Sequence, residues 1–150
     1  MLDDVADLYQ KLIMERARHP RHANGELAAF DAEAEGDNPM CGDHLHLWLR
    51  RDEKGRVSEI SHETKGCAIC LASADLLGDA VLGKRPEDIA TISREFESMV
   101  TNGTGSDGLG DLRALSGVHE YRSRIRCATL PWQALGTALR RIGAAEESEA

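Results

Sequence analysis

His44-Leu45-His46-Leu47-Trp48-Leu49-Arg50 alternates apolar and polar side chains, and Asp52-Glu53-Lys54-Gly55 follows almost at once. A period of two puts Leu45, Leu47 and Leu49 on one face of a strand and His44, His46 and Trp48 on the other. The Asp-Glu-Lys-Gly stretch reads as a hairpin turn and Val57–Lys65 as a second, less regular strand. Upstream, Glu26 to Glu35 sets Phe30, Ala32 and Ala34 between charged residues, an edge-strand pattern, and Gly36-Asp37-Asn38-Pro39 reads as the loop after it. Together these segments predict an antiparallel meander of three strands with one face left for helices to cover.

The helical segments fit that role. Asp3 or Asp4 can cap a first helix whose apolar stripe is Val5, Leu8, Tyr9, Leu12 and Ile13, and His19-Pro20 ends it. Gly66-Cys67 opens a second helix with Ile69, Ala72, Leu76, Ala80 and Val81 on one side, closed by Gly83. Pro86 suits the first turn of a third, whose stripe is Ile89, Ile92, Phe96, Met99 and Val100. Asn102 to Gly110 is glycine-rich and reads as a flexible loop; no Gly-Lys-Ser/Thr follows it, so it is not a phosphate cradle. A short helix near 111–115 and a coil through Val118–Arg124 lead to Cys127. A last helix then carries Leu130, Ala134, Leu135, Ala138 and Leu139, with Pro131 in its first turn. The fold class predicted is α+β: a three-stranded antiparallel sheet with one face covered by about five helices. Residues 1–143 form a single domain and 144–150 a disordered acidic tail.

The 150 residues hold 18 Lys and Arg against 26 Asp and Glu, a net charge of −8. So acidic a chain gains no counterion release on nucleic acid, despite a basic strip at Arg122, Arg124 and Arg126. No apolar run approaches the roughly 18–20 residues that span a bilayer. Met1-Leu2-Asp3-Asp4 lacks the apolar core of a signal peptide, so the chain reads as cytoplasmic. In a reducing compartment its four cysteines are thiols, which points to metal or redox chemistry rather than a disulfide framework.

Three of those thiols and one carboxylate stand at the edges of apolar segments: Cys41-Gly42-Asp43, Gly66-Cys67 and Arg126-Cys127-Ala128. They make a complete tetrahedral ligand set for zinc, or anchors for iron and sulfide. The gaps are too wide for a zinc finger, so the fold must gather them. A carboxylate two residues from a thiol is unwelcome in an apolar core unless something positive meets it, and a bound cation satisfies both. Cys67 is placed at a helix N-terminus, and Cys127 is read as preceding a helix; both settings favour thiolate. Arg126 has no lone pair and cannot ligate, but it can balance the charge of a thiolate-rich site. Cys70 either packs inward or flanks the site, and Cys67-Ala68-Ile69-Cys70 also matches a redox pair, although the βαβ context is missing. His44 is close enough to Cys41 in sequence to support the site. His19, His22, His62 and His119 lack ligand-like spacing and read as surface or capping residues.

The ordered set of motifs resembles the U-type iron–sulfur cluster assembly proteins: IscU, the N-terminal part of NifU, and SufU. The resemblance runs from about Leu8 to Leu139. Leu8-Tyr9 and His19-Pro20-Arg21-His22 are similar to the family's opening helix and turn. Asn38-Pro39-Met40-Cys41-Gly42-Asp43, Lys65-Gly66-Cys67-Ala68-Ile69 with Ala72-Ser73, and Arg124-Ile125-Arg126-Cys127-Ala128-Thr129-Leu130-Pro131-Trp132 are similar to its three ligand loops. Arg126, where scaffold-type members carry histidine, and the Gly-rich stretch Thr101–Gly117 resemble the SufU branch; Cys70 departs from it. The resemblance implies zinc held by Cys41, Asp43, Cys67 and Cys127, and sulfur taken from a pyridoxal-phosphate cysteine desulfurase of the SufS type. In that family a desulfurase histidine displaces the first cysteine from zinc, which makes Cys41 the sulfur acceptor and downstream iron–sulfur assembly proteins its recipients. Two other readings stay open: a scaffold that binds iron and builds an Fe–S cluster, and an adaptor held together by structural zinc.

Overall fold

The alternating stretch forms the central strand of the sheet. The computed structural model describes residues 2–105 and 107–149. In chain order the elements are α1 (Leu2–Arg18), β1 (Ala32–Asn38), β2 (Asp43–Arg51), β3 (Val57–Lys65), α2 (Ala68–Val81), α3 (Pro86–Asn102), a 3-10 segment (Asp107–Glu120) and α4 (Arg122–Glu149). The sheet order is β1-β2-β3, antiparallel throughout, with Ala34 opposite Leu47 and Leu47 opposite His62. The expected α+β meander is therefore present, covered among the described residues by four α-helices and the 3-10 segment. None of the described helices is long and apolar enough to cross a membrane.

Alternation decides which face is covered. Leu45, Leu47 and Leu49 are buried with Ala32, Ala34 and Ile60, and α2 and α4 pack on that side. Gly36 lies in this face because a Cβ there would press on Leu130 of α4 at 3.0 Å. Gly36 to Asn38 belong to β1, so the strand runs further than the loop expected there. Trp48, on the opposite face, stacks on His46 with ring centroids 4.0 Å apart. The loop after α1 covers part of that face: Ser61, opposite Trp48, donates to the Gly25 carbonyl and accepts from the Asn24 N–H.

α2 is the central helix, with Cys70, Ala72, Leu76, Leu77 and Val81 all buried. α3 begins with Pro86 in its first turn and ends at Gly103, whose φ of 80° supplies the left-handed cap. The Gly-rich stretch differs from expectation. Leu109, Leu112, Leu115 and Val118 recur every third residue and are all buried, the spacing of a 3-10 helix. From Asp107 to Glu120 the expected end of the loop, short helix and start of the coil are thus one packed 3-10 segment, bent at Gly110. The side chains of Asp3, Asp4 and Val5 lie outside the described residues, as does Ala150. The backbone of α4 is helical as far as Glu149, through most of the segment 144–150.

Candidate metal centre

Asn38 and Asp43 close the β1–β2 ladder as its last pair, and the chain turns back between them. The Cys41 N–H donates to the Asn38 carbonyl at 3.2 Å, and Gly42 takes a φ of 71° that completes the reversal. Cys41 is thereby lifted onto a turn while Asp43 enters the interior. Gly66 brings β3 against the same spot: a Cβ there would strike Asp43 Oδ1 and lie 3.0 Å from its Cα. The absence of that Cβ lets the Cys67 N–H reach Asp43 Oδ1 at 3.0 Å. Cys67 is the N-cap of α2, as expected, with extended backbone and no side-chain capping bond.

Cys127 arrives differently from the sequence reading. α4 begins at Arg122, so Cys127 lies inside the helix rather than before it, and Pro131 is internal. Proline lacks an N–H, and its partner four residues back would be the Cys127 carbonyl, so the helix gives up one hydrogen bond at the site. Just beside it, the Ser73 hydroxyl of α2 donates to the Ala128 carbonyl at 2.5 Å and pins the two helices together.

The ligand atoms of Cys41, Asp43 and Cys127 lie within 4.8 Å of one another. Asp43 and Cys127 are buried and Cys41 is half-buried. Cys67, also half-buried, stands beside this trio against Cys127. Asn38 Nδ2 points at Cys127 Sγ from 3.9 Å, and Cys41 Sγ lies 3.6 Å from the Ser123 carbonyl. Burial pushes the Cys127 thiol up, and the Asp43, Cys41 and Cys67 side chains around it push the same way. A bound cation would reverse the sign of that effect on Cys127. Asp43 Oδ2 is buried with no hydrogen-bond partner among the described residues, the mark of a site that expects a further positive group. Zinc distances of about 2.3 Å to sulfur and about 2.0–2.2 Å to oxygen need only a modest closing of this trio. The donor set of Cys41, Asp43 and Cys127 fits zinc; Cys67, the fourth residue expected from sequence, is not part of this close group.

The guanidinium at the thiols is Arg124. The Cys127 and Cys67 sulfurs nearby hold its proton above the ordinary arginine range. Arg126, favoured from sequence, is exposed and makes no such contact among the described residues. A helix beginning at Arg122 puts 124 and 127 three apart on one side, which the expected coil concealed. His44 is on the outer sheet face, 3.6 Å from Asp37, and does not support the site.

Sequence spacing reads His62 as a surface or capping residue. His62 is buried, not on the surface, with Nε2 3.1 Å from Asp75 Oδ1 and Nδ1 2.8 Å from Thr64 Oγ1. An apolar groove of 760 Å³ opens beside the thiols, between Tyr9, Ile13 and Met14 of α1, Ile69 of α2, Val118 and Arg124.

Known proteins resemble this chain along most of its length. An iron–sulfur cluster assembly scaffold protein IscU from Streptococcus pyogenes is 32% identical over 147 residues, covering 97% of this chain and 91% of its own. A zinc-dependent sulfurtransferase SufU from Bacillus subtilis is 35% identical over 130 residues, covering 85% and 86%. The crystal structure of a nitrogen-fixing NifU-like protein (N-terminal) from Brucella abortus superposes with a TM-score of 0.83 at 26% identity, covering 92% of this chain and 96% of that one. The order of the three cysteine motifs, the meeting of Cys41, Asp43 and Cys127 in the fold and a family match over residues 8–128 agree: the chain belongs to the NifU-like N-terminal domain family.

Proposed function

We propose that this protein is a zinc-dependent sulfur acceptor, a sulfurtransferase that takes persulfide sulfur from a SufS-type cysteine desulfurase for iron–sulfur cluster assembly. The observation that carries the reading is the trio of Cys41, Asp43 and Cys127, with a buried Asp43 oxygen left unpaired among the described residues. Cys41, Asp43, Cys67 and Cys127 hold the metal. When bound, zinc keeps these thiols deprotonated as a Lewis acid and brings no redox activity of its own.

Cys41 is the acceptor. It stands on a turn between strands, half-buried and next to Met40, which is 84% exposed, whereas Cys127 is buried within α4. A partner's cysteine persulfide reaches Cys41 first. The Cys41 thiolate attacks the outer sulfur, the S–S bond breaks, and the partner's cysteine leaves as a thiolate. Arg124 keeps a positive charge beside the thiols through the exchange. The apolar groove beside Arg124 gives the partner a surface next to the acceptor. The SufU relative carries the name of zinc-dependent sulfurtransferase, which supports this reading.

The second reading is a scaffold on which an Fe–S cluster is assembled, supported by the IscU relative of similar identity. The third, an adaptor with structural zinc, is disfavoured by the carboxylate among the donors and by the half-buried Cys41. The test is alanine production by a cysteine desulfurase with wild type and with Cys41→Ala. Stimulation is expected from wild type alone, and stimulation that survives in Cys41→Ala removes Cys41 as acceptor. A cluster that forms on anaerobic reconstitution and passes to an apo-protein would favour the scaffold.

A further inference from the structure

Cys70 has no part in the site described above, yet it is buried in the first turn of the helix that Cys67 caps. Cys67 caps α2 and Cys70 is the third residue of that helix, so the two thiols flank its first turn. Cys67 is half-buried, and its thiol is not engaged in capping the helix. Cys70 has no exposed surface and packs in the same cluster that Cys41 and Cys67 touch. A reagent from solution therefore meets Cys67 before Cys70. Residues three apart on a helix have Cβ atoms about 5–6 Å apart. A disulfide needs about 3.5–4.5 Å, a distance that rotation at the N-cap and a slight closing of the turn supply. Two cysteines separated by two residues at a helix start are also the usual frame of a redox-active dithiol.

We propose that Cys67 and Cys70 are a dithiol that reduces sulfane sulfur bound at this site and expels it as sulfide. This inference rests on the sulfur-acceptor reading. Sulfur first moves from Cys41 to Cys67: the Cys67 thiolate attacks the outer sulfur of the Cys41 persulfide, and Cys41 leaves as a thiolate. The Cys70 sulfur then attacks the inner sulfur of the Cys67 persulfide anion. The S–S bond of the persulfide breaks, the Cys67–Cys70 bond forms, and the outer sulfur leaves as hydrosulfide carrying the Cys70 proton. The leaving sulfur gains two electrons and the two cysteines supply them, so the persulfide is its own oxidant. An external dithiol reductant reopens the disulfide for the next turnover.

The test loads the full chain with inorganic polysulfide, removes the excess and measures sulfide released without any reductant. Wild type is expected to gain sulfur by mass, to release one sulfide per loaded chain and to yield a peptide cross-linked between Cys67 and Cys70. Cys70→Ala is expected to load equally but to release sulfide at least tenfold more slowly until a dithiol is added. Release at the wild-type rate from Cys70→Ala overturns the inference, as does a wild-type cross-link that omits Cys70. If Cys70→Ala fails to fold, Cys70→Ser and the wild-type peptide map decide between the same outcomes. Loading by polysulfide with none from a desulfurase removes the acceptor reading and leaves the dithiol chemistry to stand on its own result. No sulfur on Cys41 or Cys67 from either source removes both.

Discussion

Arg16 Nε lies 2.6 Å from Asp75 Oδ2, and both side chains are shut away from solvent. Asp75 also accepts from the Arg21 and His22 backbone N–H groups and lies 3.1 Å from His62, while Arg16 reaches on to Asp79. One carboxylate on α2 thus fastens the end of α1, the turn after it and β3. Removing it leaves a buried guanidinium short of its partner. Asp75→Asn is expected to cost about 3–5 kcal/mol in urea unfolding. A loss below about 1 kcal/mol would show that the cluster relaxes freely.

The same carboxylate sets an acid limit. Burial opposes its ionisation, but His62, the Arg21 and His22 N–H groups and Arg16 outweigh that and hold the folded pKa below the usual carboxylate range. A lowered folded pKa means stability present above the unfolded value of about 3.9 and lost as pH falls toward the folded value. The stability gap between wild type and Asp75→Asn is expected to be constant near neutrality and to narrow only below about pH 4. A gap that already narrows between pH 8 and pH 6 would show that the Asp75 carboxylate does not set it.

Gly66 brings its backbone close to Asp43. A side chain there collides with Asp43, so Gly66→Ala is expected to push Asp43 away and weaken zinc binding by roughly 10- to 100-fold. Competition with a chromophoric chelator measures this, and an unchanged affinity would mean that Asp43 is not a ligand.

Arg124, not Arg126, faces the thiols. Since the thiols favour its protonated form, it favours their ionised form by the same linkage. Arg124→Gln is expected to move the pH profile of thiol alkylation in the metal-free protein upward, by up to about one unit. Arg126→Gln is expected to leave it in place, and equal shifts in both would return Arg126 to the site.

The unpaired Asp43 oxygen predicts that metal and stability are linked. Zinc at about 100-fold above its Kd is expected to add about 2.7 kcal/mol to unfolding, lost on chelation. Coincident urea curves with zinc and with chelator would argue against a site on these residues.

The sheet was legible because strand burial repeats every second residue, and Leu45, Leu47 and Leu49 show that repeat directly. The 3-10 run was also written locally, in Leu109, Leu112, Leu115 and Val118, but the surrounding glycines read as a loop. Sequence puts Cys127 ahead of the last helix because proline suits a first turn, whereas α4 holds Pro131 deep inside, beside the Ser73 bond to Ala128. Arg16, Asp75 and His62 come from three separate elements, and no spacing along the chain announces such a set.

The residue types that can bind metal, and the two periodicities that build strands and helices, are properties of neighbours along the chain and can be read there. Which of those residues meet is a property of packing. Asn38 pairing with Asp43, a missing Cβ at Gly66 and a helix that begins at Arg122 bring Cys41, Asp43 and Cys127 together, with Arg124 beside them. The same packing buries Cys70 in the first turn of α2, outside the group of Cys41, Asp43 and Cys127. Contacts across long stretches of chain form only when burial of the intervening elements offsets the entropy of closing the loops, so no short window of sequence contains them.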